Sequence, residues 1–317
     1  MANVAEMIDK TIRIFSLPSS DGNKGSSYRG FYLPACLLSK YGIVVSEENI
    51  QHPILLLGGT SIPISDREDL IGFLIESGYE VASLENPIGG LFDIGTNPAQ
   101  ERLVSLQSFI AHLKQDEHVK GIDIIAQSYS SFEVIRVLLS TPSYRSFVKS
   151  IILINPPGLN EHTSFTKHIY KFILKHVLKG YVKAASCLLG VNEKPLKTSI
   201  KKDRDYAKKE VRGITIWTLR SCTNIIRTLR EVNDIVTFRI KDPLCTLKNE
   251  YNCNLNVFLQ SEDQIIPAEV SKEQLKDILP EDNIRMVPGS HNDIFFQQWQ
   301  RPAFLDFLKE IRQRKLS

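Results

Sequence analysis

No uncharged stretch of this sequence approaches the ~20 residues a membrane-spanning helix needs, and its first ten residues carry Glu6 and Asp9 with no apolar run between them. Neither a spanning helix nor a standard export signal is expected. Cysteine is scarce. The five present, Cys36, Cys187, Cys222, Cys245 and Cys253, are an odd number with no C-x-x-C pair and no histidine close enough in sequence to share a zinc ion. A disulfide framework is therefore not expected, and reduced thiols in a cytoplasm are the default. Internal repeats and low-complexity tracts are also lacking.

What is present suits a soluble globular enzyme: 42% hydrophobic and 24% charged residues in a chain of 317, enough for one large core with an inserted subdomain. The net charge of +3 conceals an imbalance. From Gly158 to Glu250 there are 19 Lys and Arg against 9 Asp and Glu, leaving 20 against 27 elsewhere. A basic middle sits in an acidic frame.

The first half alternates strand-like and helix-like runs. Thr11 to Phe15, Tyr28 to Leu33 and the apolar run Ile54 to Leu57 read as strands; the last, closed by Gly58-Gly59, is the pattern of a strand buried on both faces. A helix is predicted from Asp66 to Ser77, where Leu70, Phe73 and Leu74 share a face and Gly78 stops it, followed by a strand from Glu80 to Leu84. The rhythm repeats with helix Pro98 to Gln115, strand Gly121 to Ile125, helix Ser130 to Ser140 and strand Ser150 to Ile154. After Asn155-Pro156-Pro157-Gly158 it gives way to helical patterning until Lys241. It then resumes with strand Asn254 to Leu259, helix Val270 to Leu279, strand Asn283 to Val287 and a closing helix from Pro302 to Arg314. The expected architecture is α/β, a doubly wound and mostly parallel sheet, with a core from residues 1–157 and 242–317 and a helical lid inserted over 158–241.

Ser128 lies directly between the strand Ile122 to Ile125 and the helix that begins near Phe132. A sharp strand-to-helix turn strains its central residue and admits only small residues two before and two after, hence the usual G-x-S-x-G. Here Ala126 and Ser130 fill those places, and the segment Ala126-Gln127-Ser128-Tyr129-Ser130 resembles the nucleophile elbow of α/β-hydrolases, in particular the bacterial bioluminescence acyl-thioesterases. Taken alone, such a serine also suits a helix N-cap. Gly58-Gly59-Thr60-Ser61 resembles the family's H-G-x turn, with Gly58 in the place of its histidine. The resemblance implies an oxyanion hole made by the backbone N–H groups of Thr60 and Tyr129. Ala82 to Gly90 resembles the family's D-x-x-G-x-G segment, with Glu85 where Asp is usual, and is read as scaffold.

Gln260 to Pro267 resembles the family's G-x-x-D-x-x-x-P, which makes Asp263 rather than Glu262 the acid that holds the catalytic imidazole. A loop carboxylate capping the next helix is the alternative for Asp263. The other acid position in this fold, after the preceding strand, is Asn155, which cannot carry charge. His291, in Val287 to Asp293, follows the last strand and completes the order Ser, acid, His. The remaining histidines, His52, His112, His118, His162, His168 and His176, fit worse, and Asp293 is read as structural.

The resemblance covers about residues 11–157 and 242–312. It implies acyl transfer through a covalent ester on Ser128, with no cofactor and no metal. In the lid, Lys167, Lys171, Lys175, Lys179 and Lys183 recur every fourth residue among apolar neighbours. Like charges at that spacing repel. The stripe is either a solvated face or a surface for an anionic membrane or an acidic carrier protein. An apolar, aromatic second segment from Ile214 to Val236 favours a hydrophobic acyl group. No nucleic-acid-binding motif accompanies the basic residues. The leading expectation is a carboxylesterase acting on a small hydrophobic ester. An acyl-thioesterase or acyltransferase with the same triad and a non-catalytic binding protein on the same fold are the alternatives. A proline-iminopeptidase-type peptidase lacks its H-G-G-P-G here, and epoxide hydrolases and dehalogenases use an Asp nucleophile.

Overall fold

The apolar runs are buried strands of one sheet. A computed structural model of the chain describes residues 4–16, 27–59, 64–85, 98–159, 233–234, 237–263 and 266–314. The strands are β1 (Arg13–Ser16), β2 (Ser27–Leu33), β3 (Ile54–Leu57), β4 (Val81–Leu84), β5 (Ile122–Gln127), β6 (Val148–Ile154), β7 (Leu255–Gln260) and β8 (Ile284–Val287). They lie in the order β1-β2-β4-β3-β5-β6-β7-β8. β2 runs antiparallel to β1 and β4, and the other pairs are parallel. Every residue of β3, β4, β5 and β7 is buried, as parallel strands covered on both faces must be.

The described helices are α1 (Val4–Thr11), α2 (Ala35–Leu38), α3 (Glu47–Gln51), α4 (Ile64–Glu76), α5 (Pro98–Lys114), α6 (Ser130–Ser140), α7 (Pro142–Arg145), α8 (Lys241–Asn249), α9 (Ala268–Lys276), α10 (Asp293–Phe296) and α11 (Arg301–Gln313). Two apolar layers sandwich the sheet. α5, α6, α8 and α9 pack on one face, and α1, α4, α10 and α11 on the other. The two-residue period of a strand divides β3 between them: Leu55 and Leu57 join the first layer, Ile54 and Leu56 the second. Among the described residues no helix is long and apolar enough to cross a membrane.

The expected strand at Thr11 begins two residues later. Thr11 closes α1 instead, its hydroxyl donating to the Met7 carbonyl at 2.8 Å while Met7 and Ile8 are buried. β5 runs on to Gln127 and β6 starts at Val148, so both central strands are longer than their apolar runs. The sheet is interrupted between β6 and β7. The chain departs at Gly158 (φ 81°) and comes back at Ile240, whose N–H donates to the Gly158 carbonyl at 3.1 Å. The lid expected over 158–241 lies, apart from its two ends, outside the described residues.

The amino-terminal edge of the sheet is fastened by charge. Asp123 at the start of β5 receives Arg312 Nη2 of α11 at 2.7 Å and the Ser150 hydroxyl at 2.5 Å, while Arg312 Nη2 also donates to the His52 carbonyl at 2.7 Å. The Asp123 and Arg312 side chains are only 1% and 9% exposed. Removing one member strands a buried charge. Arg312→Met is therefore expected to destabilise the fold by about 3–5 kcal/mol in urea unfolding, and adding Asp123→Asn should recover much of that loss.

Glu80, before β4, accepts hydrogen bonds from the Tyr32 hydroxyl and the Ala35 N–H. Burial nonetheless holds its carboxyl above the ordinary carboxylate range. A carboxyl whose folded pKa exceeds its unfolded value withdraws stability as pH rises between the two. The melting temperature of Glu80→Gln relative to wild type should accordingly rise between pH 4 and pH 7; a difference independent of pH would contradict this.

Candidate active site

Ser128 sits where β5 must become α6 within two residues. Its N–H donates to the Ile154 carbonyl of β6 at 2.8 Å, as if β5 continued, while its own carbonyl accepts from Ser131 N–H at 3.0 Å, as if the helix had begun. Satisfying both drives Ser128 to φ 55°. That left-handed conformation costs a residue with a side chain about 1–3 kcal/mol. Ala126 and Ser130 are buried on either side, and from Gly121 to Ile135 Ser128 is the one residue that is not fully buried. The fold thus spends strain to present one hydroxyl.

Asp263 and His291, separated by a strand and a helix in sequence, meet after β7 and β8. His291 Nδ1 lies 2.6 Å from Asp263 Oδ2, with side chains 11% and 0% exposed. The other carboxylate oxygen accepts Ile266 N–H at 2.9 Å. One oxygen of Asp263 thus closes the turn ahead of α9, whose N-cap Pro267 has no side-chain cap, and the other faces the imidazole. Asp293 accepts Ser290 N–H at 2.9 Å and braces the loop that carries His291.

Uncharged amides at the carboxyl ends of the central strands hold these pieces together. Gln127 ends β5, Asn155 comes directly after β6 and Gln260 ends β7, all buried. Gln127 Nε2 donates to Asn292 Oδ1 at 3.0 Å and to the His291 carbonyl at 3.3 Å. Asn155, itself at φ 46°, donates to the same carbonyl at 3.2 Å and to Gln260 Oε1 at 2.6 Å, and accepts Gln260 N–H at 2.9 Å. Gln260 reaches Gln300 at 2.6 Å, and Gln300 reaches the Pro288 carbonyl at 2.7 Å. Sequence reasoning passed over Gln127, Gln260 and Gln300. The signal available was an amide closing each of two apolar strands. Asn155, at the position weighed in sequence as an alternative acid site, instead binds the His291 carbonyl.

The turn after β3 is described as far as Gly59. Gly58 carbonyl accepts the Ser130 hydroxyl at 2.5 Å, and Gly59 N–H donates to Gln127 Oε1 at 2.8 Å. Arg67, fully buried in α4, ties the ends of β3 and β4 through the Ser83 hydroxyl at 2.6 Å and the Leu84 and Leu56 carbonyls at 3.0 and 3.3 Å. Burial pulls its guanidinium pKa down to about 10. Thr60 lies outside the described residues, as does the lysine stripe from Lys167 to Lys183. Tyr129 is in place beside Ser128. Its ring lies under the Arg102 guanidinium, 4.8 Å from the centroid, and its hydroxyl donates to Asp234 Oδ2 at 2.8 Å. Burial pushes that phenol well above its ordinary pKa. Glu85 is buried after β4, 3.8 Å from Arg29.

No family model matches the sequence, and no curated protein matches it. Solved structures do. A carboxylesterase structure from the ammonia-oxidizing thaumarchaeon Nitrososphaera gargenis is 17% identical, with 95% of this chain and 100% of that one covered at a TM-score of 0.65. A thermophilic esterase from Thermogutta terrifontis is 10% identical over 94% of this chain and 99% of its own, at 0.60. An alpha/beta hydrolase from the metagenome of lagoon sediments of Mar Chica, Morocco, is 13% identical over 93% and 98%, at 0.54. At such identities the likeness is one of backbone. Together with the mostly parallel eight-stranded sheet, it identifies the fold of this chain as the α/β-hydrolase fold.

Proposed function

We propose that the chain is a serine hydrolase that cleaves a carboxylic ester with a hydrophobic acyl group through an acyl-enzyme on Ser128. The observation that carries this reading is the left-handed φ of 55° at Ser128, the one partly exposed residue in a buried run. A positive φ at a residue with a side chain persists only where surrounding contacts impose it, and such strain collects at sites of chemistry. Neighbours of similar fold described as carboxylesterase and esterase support the reaction class.

In this reading Asp263 holds His291 by Nδ1 and leaves Nε2 to take the Ser128 proton. The alkoxide attacks the ester carbonyl, and the backbone N–H groups of Thr60 and Tyr129 stabilise the oxyanion. The imidazolium gives its proton to the leaving alkoxide. Water, deprotonated by the same imidazole, then releases the acid and restores Ser128. No metal or cofactor takes part in this scheme. The A-x-S-x-S segment favours a second reading within the same chemistry, an acyl-thioesterase or acyltransferase, which differs only in leaving group and acceptor.

A fluorophosphonate probe should label folded wild type and not Ser128→Ala. An unlabelled wild type would overturn the hydrolase reading in favour of a binding protein, and equal labelling of Ser128→Ala would overturn the nucleophile. Asp263→Asn should keep the fold but lower kcat roughly 10⁴-fold, because the imidazole loses its orienting charge and tautomer. Matched p-nitrophenyl esters and acyl thioesters of increasing chain length then separate esterase from thioesterase, the better kcat/KM naming the leaving group.

A further inference from the structure

We propose that Gln127 and Ser130 are positioning residues that set the turn after β3 for oxyanion binding, a role that rests on the serine-hydrolase reading above. The peptide joining Gly58 to Gly59 is held at both ends: its carbonyl accepts the Ser130 hydroxyl at 2.5 Å and its N–H donates to Gln127 Oε1 at 2.8 Å. A peptide unit is planar, so two anchors on opposite edges fix its rotation. Only φ and ψ of Gly59 then separate that plane from the amide of residue 60.

Such clamping is needed because two consecutive glycines restrict the backbone least. Glycine at 58 offers no side chain of its own, and among the described residues both anchors of this peptide come from the elbow, one residue before Ser128 and two after it. The reverse constraint holds as well. A Cβ on Gly59 would lie 2.5 Å from Gln127 Oε1 and 3.3 Å from the Ser128 Cβ, so the close approach of turn to elbow requires glycine there.

The Gln127 amide does more than hold the turn. Its Nε2 donates to Asn292 Oδ1 at 3.0 Å and to the His291 carbonyl at 3.3 Å. One planar side chain thereby ties the turn after β3, the elbow and the loop carrying the proposed base. Gln127 and Ser130 are each 1% exposed. Hydrogen bonds in such surroundings are directional and costly to leave unmade, which suits them to orientation.

The decisive variant is Ser130→Gly, which brings the elbow closer to the usual G-x-S-x-G. Elbow sterics alone predict no loss. The clamp predicts that kcat on a p-nitrophenyl ester falls about 10- to 100-fold, part of the effect of deleting an oxyanion donor, with KM little changed. Ser130→Ala and Gln127→Ala should behave alike. Affinity for a boronic acid of the same acyl chain, which forms a tetrahedral adduct, should fall in parallel with kcat/KM while melting stays above the assay temperature. If wild type is active, Ser128→Ala is inert and the Ser130 variants keep wild-type kcat/KM, the positioning role fails and the hydrolase reading stands. Losses confined to KM, or boronate affinity left unchanged, also overturn it by showing a merely structural contact. If wild type neither labels with fluorophosphonate nor turns over esters, both proposals fall. Should Gln127→Ala not fold, the two Ser130 variants decide.

Discussion

Ser128 is left-handed because two hydrogen bonds make incompatible demands on it: its N–H belongs to the sheet through Ile154, and its carbonyl belongs to α6 through Ser131. Everything around the site serves that compromise. β5 must be rigid up to Gln127, which its burial between β3 and β6 provides. α6 must start without slack, which the packing of Phe132, Val134, Ile135 and Leu138 against the sheet provides. Strain of about 1–3 kcal/mol is no more than the ~3–5 kcal/mol that truncating a single buried Phe costs, and several such residues pack here, so the fold tolerates it.

The two edges of the sheet are fastened by different chemistry. At the amino-terminal edge Asp123 pairs with Arg312, and Glu80 takes two hydrogen bonds close by at the start of β4. At the carboxyl-terminal edge the same work falls to Gln127, Asn155, Gln260 and Gln300, none of which titrates. The difference has an electrostatic sense. An amide fixes the His291 carbonyl and adds no charge beside the Asp263–His291 pair. Asn155 illustrates the point by binding the His291 backbone rather than its ring.

The sheet was legible because burial on both faces leaves a continuous apolar run, and the strand alternation carried the core from β2 to β8 with boundaries off by one or two residues. β1 was misplaced at its start because Thr11 is strand-like by type, while its hydroxyl finds the Met7 carbonyl and completes a helix. The pairing of Asp263 with His291 could be read from motif spacing. The roles of Gln127 and Ser130 could not, since their partners lie 68 to 165 residues away along the chain and nothing local marks an amide as a strut. The turn after β3 was read as an oxyanion turn lacking a histidine at position 58, but the contacts that anchor it could not be read.

That lack and the departures in the elbow belong together. Ser130 replaces the usual small glycine with a hydroxyl, and its partner is the carbonyl of Gly58, the residue that replaces the histidine. Gly59 is small where Gln127 needs room, and Gln127 in turn takes the N–H that Gly59 offers. Four positions on two distant segments thus form one packed and hydrogen-bonded unit whose members do not contribute independently. Replacing Ser130 or Gln127 leaves without its partner the backbone group that each one holds. Judged one position at a time, the elbow looks degraded; judged with the turn it touches, it is a consistent alternative set of contacts around the same strained serine.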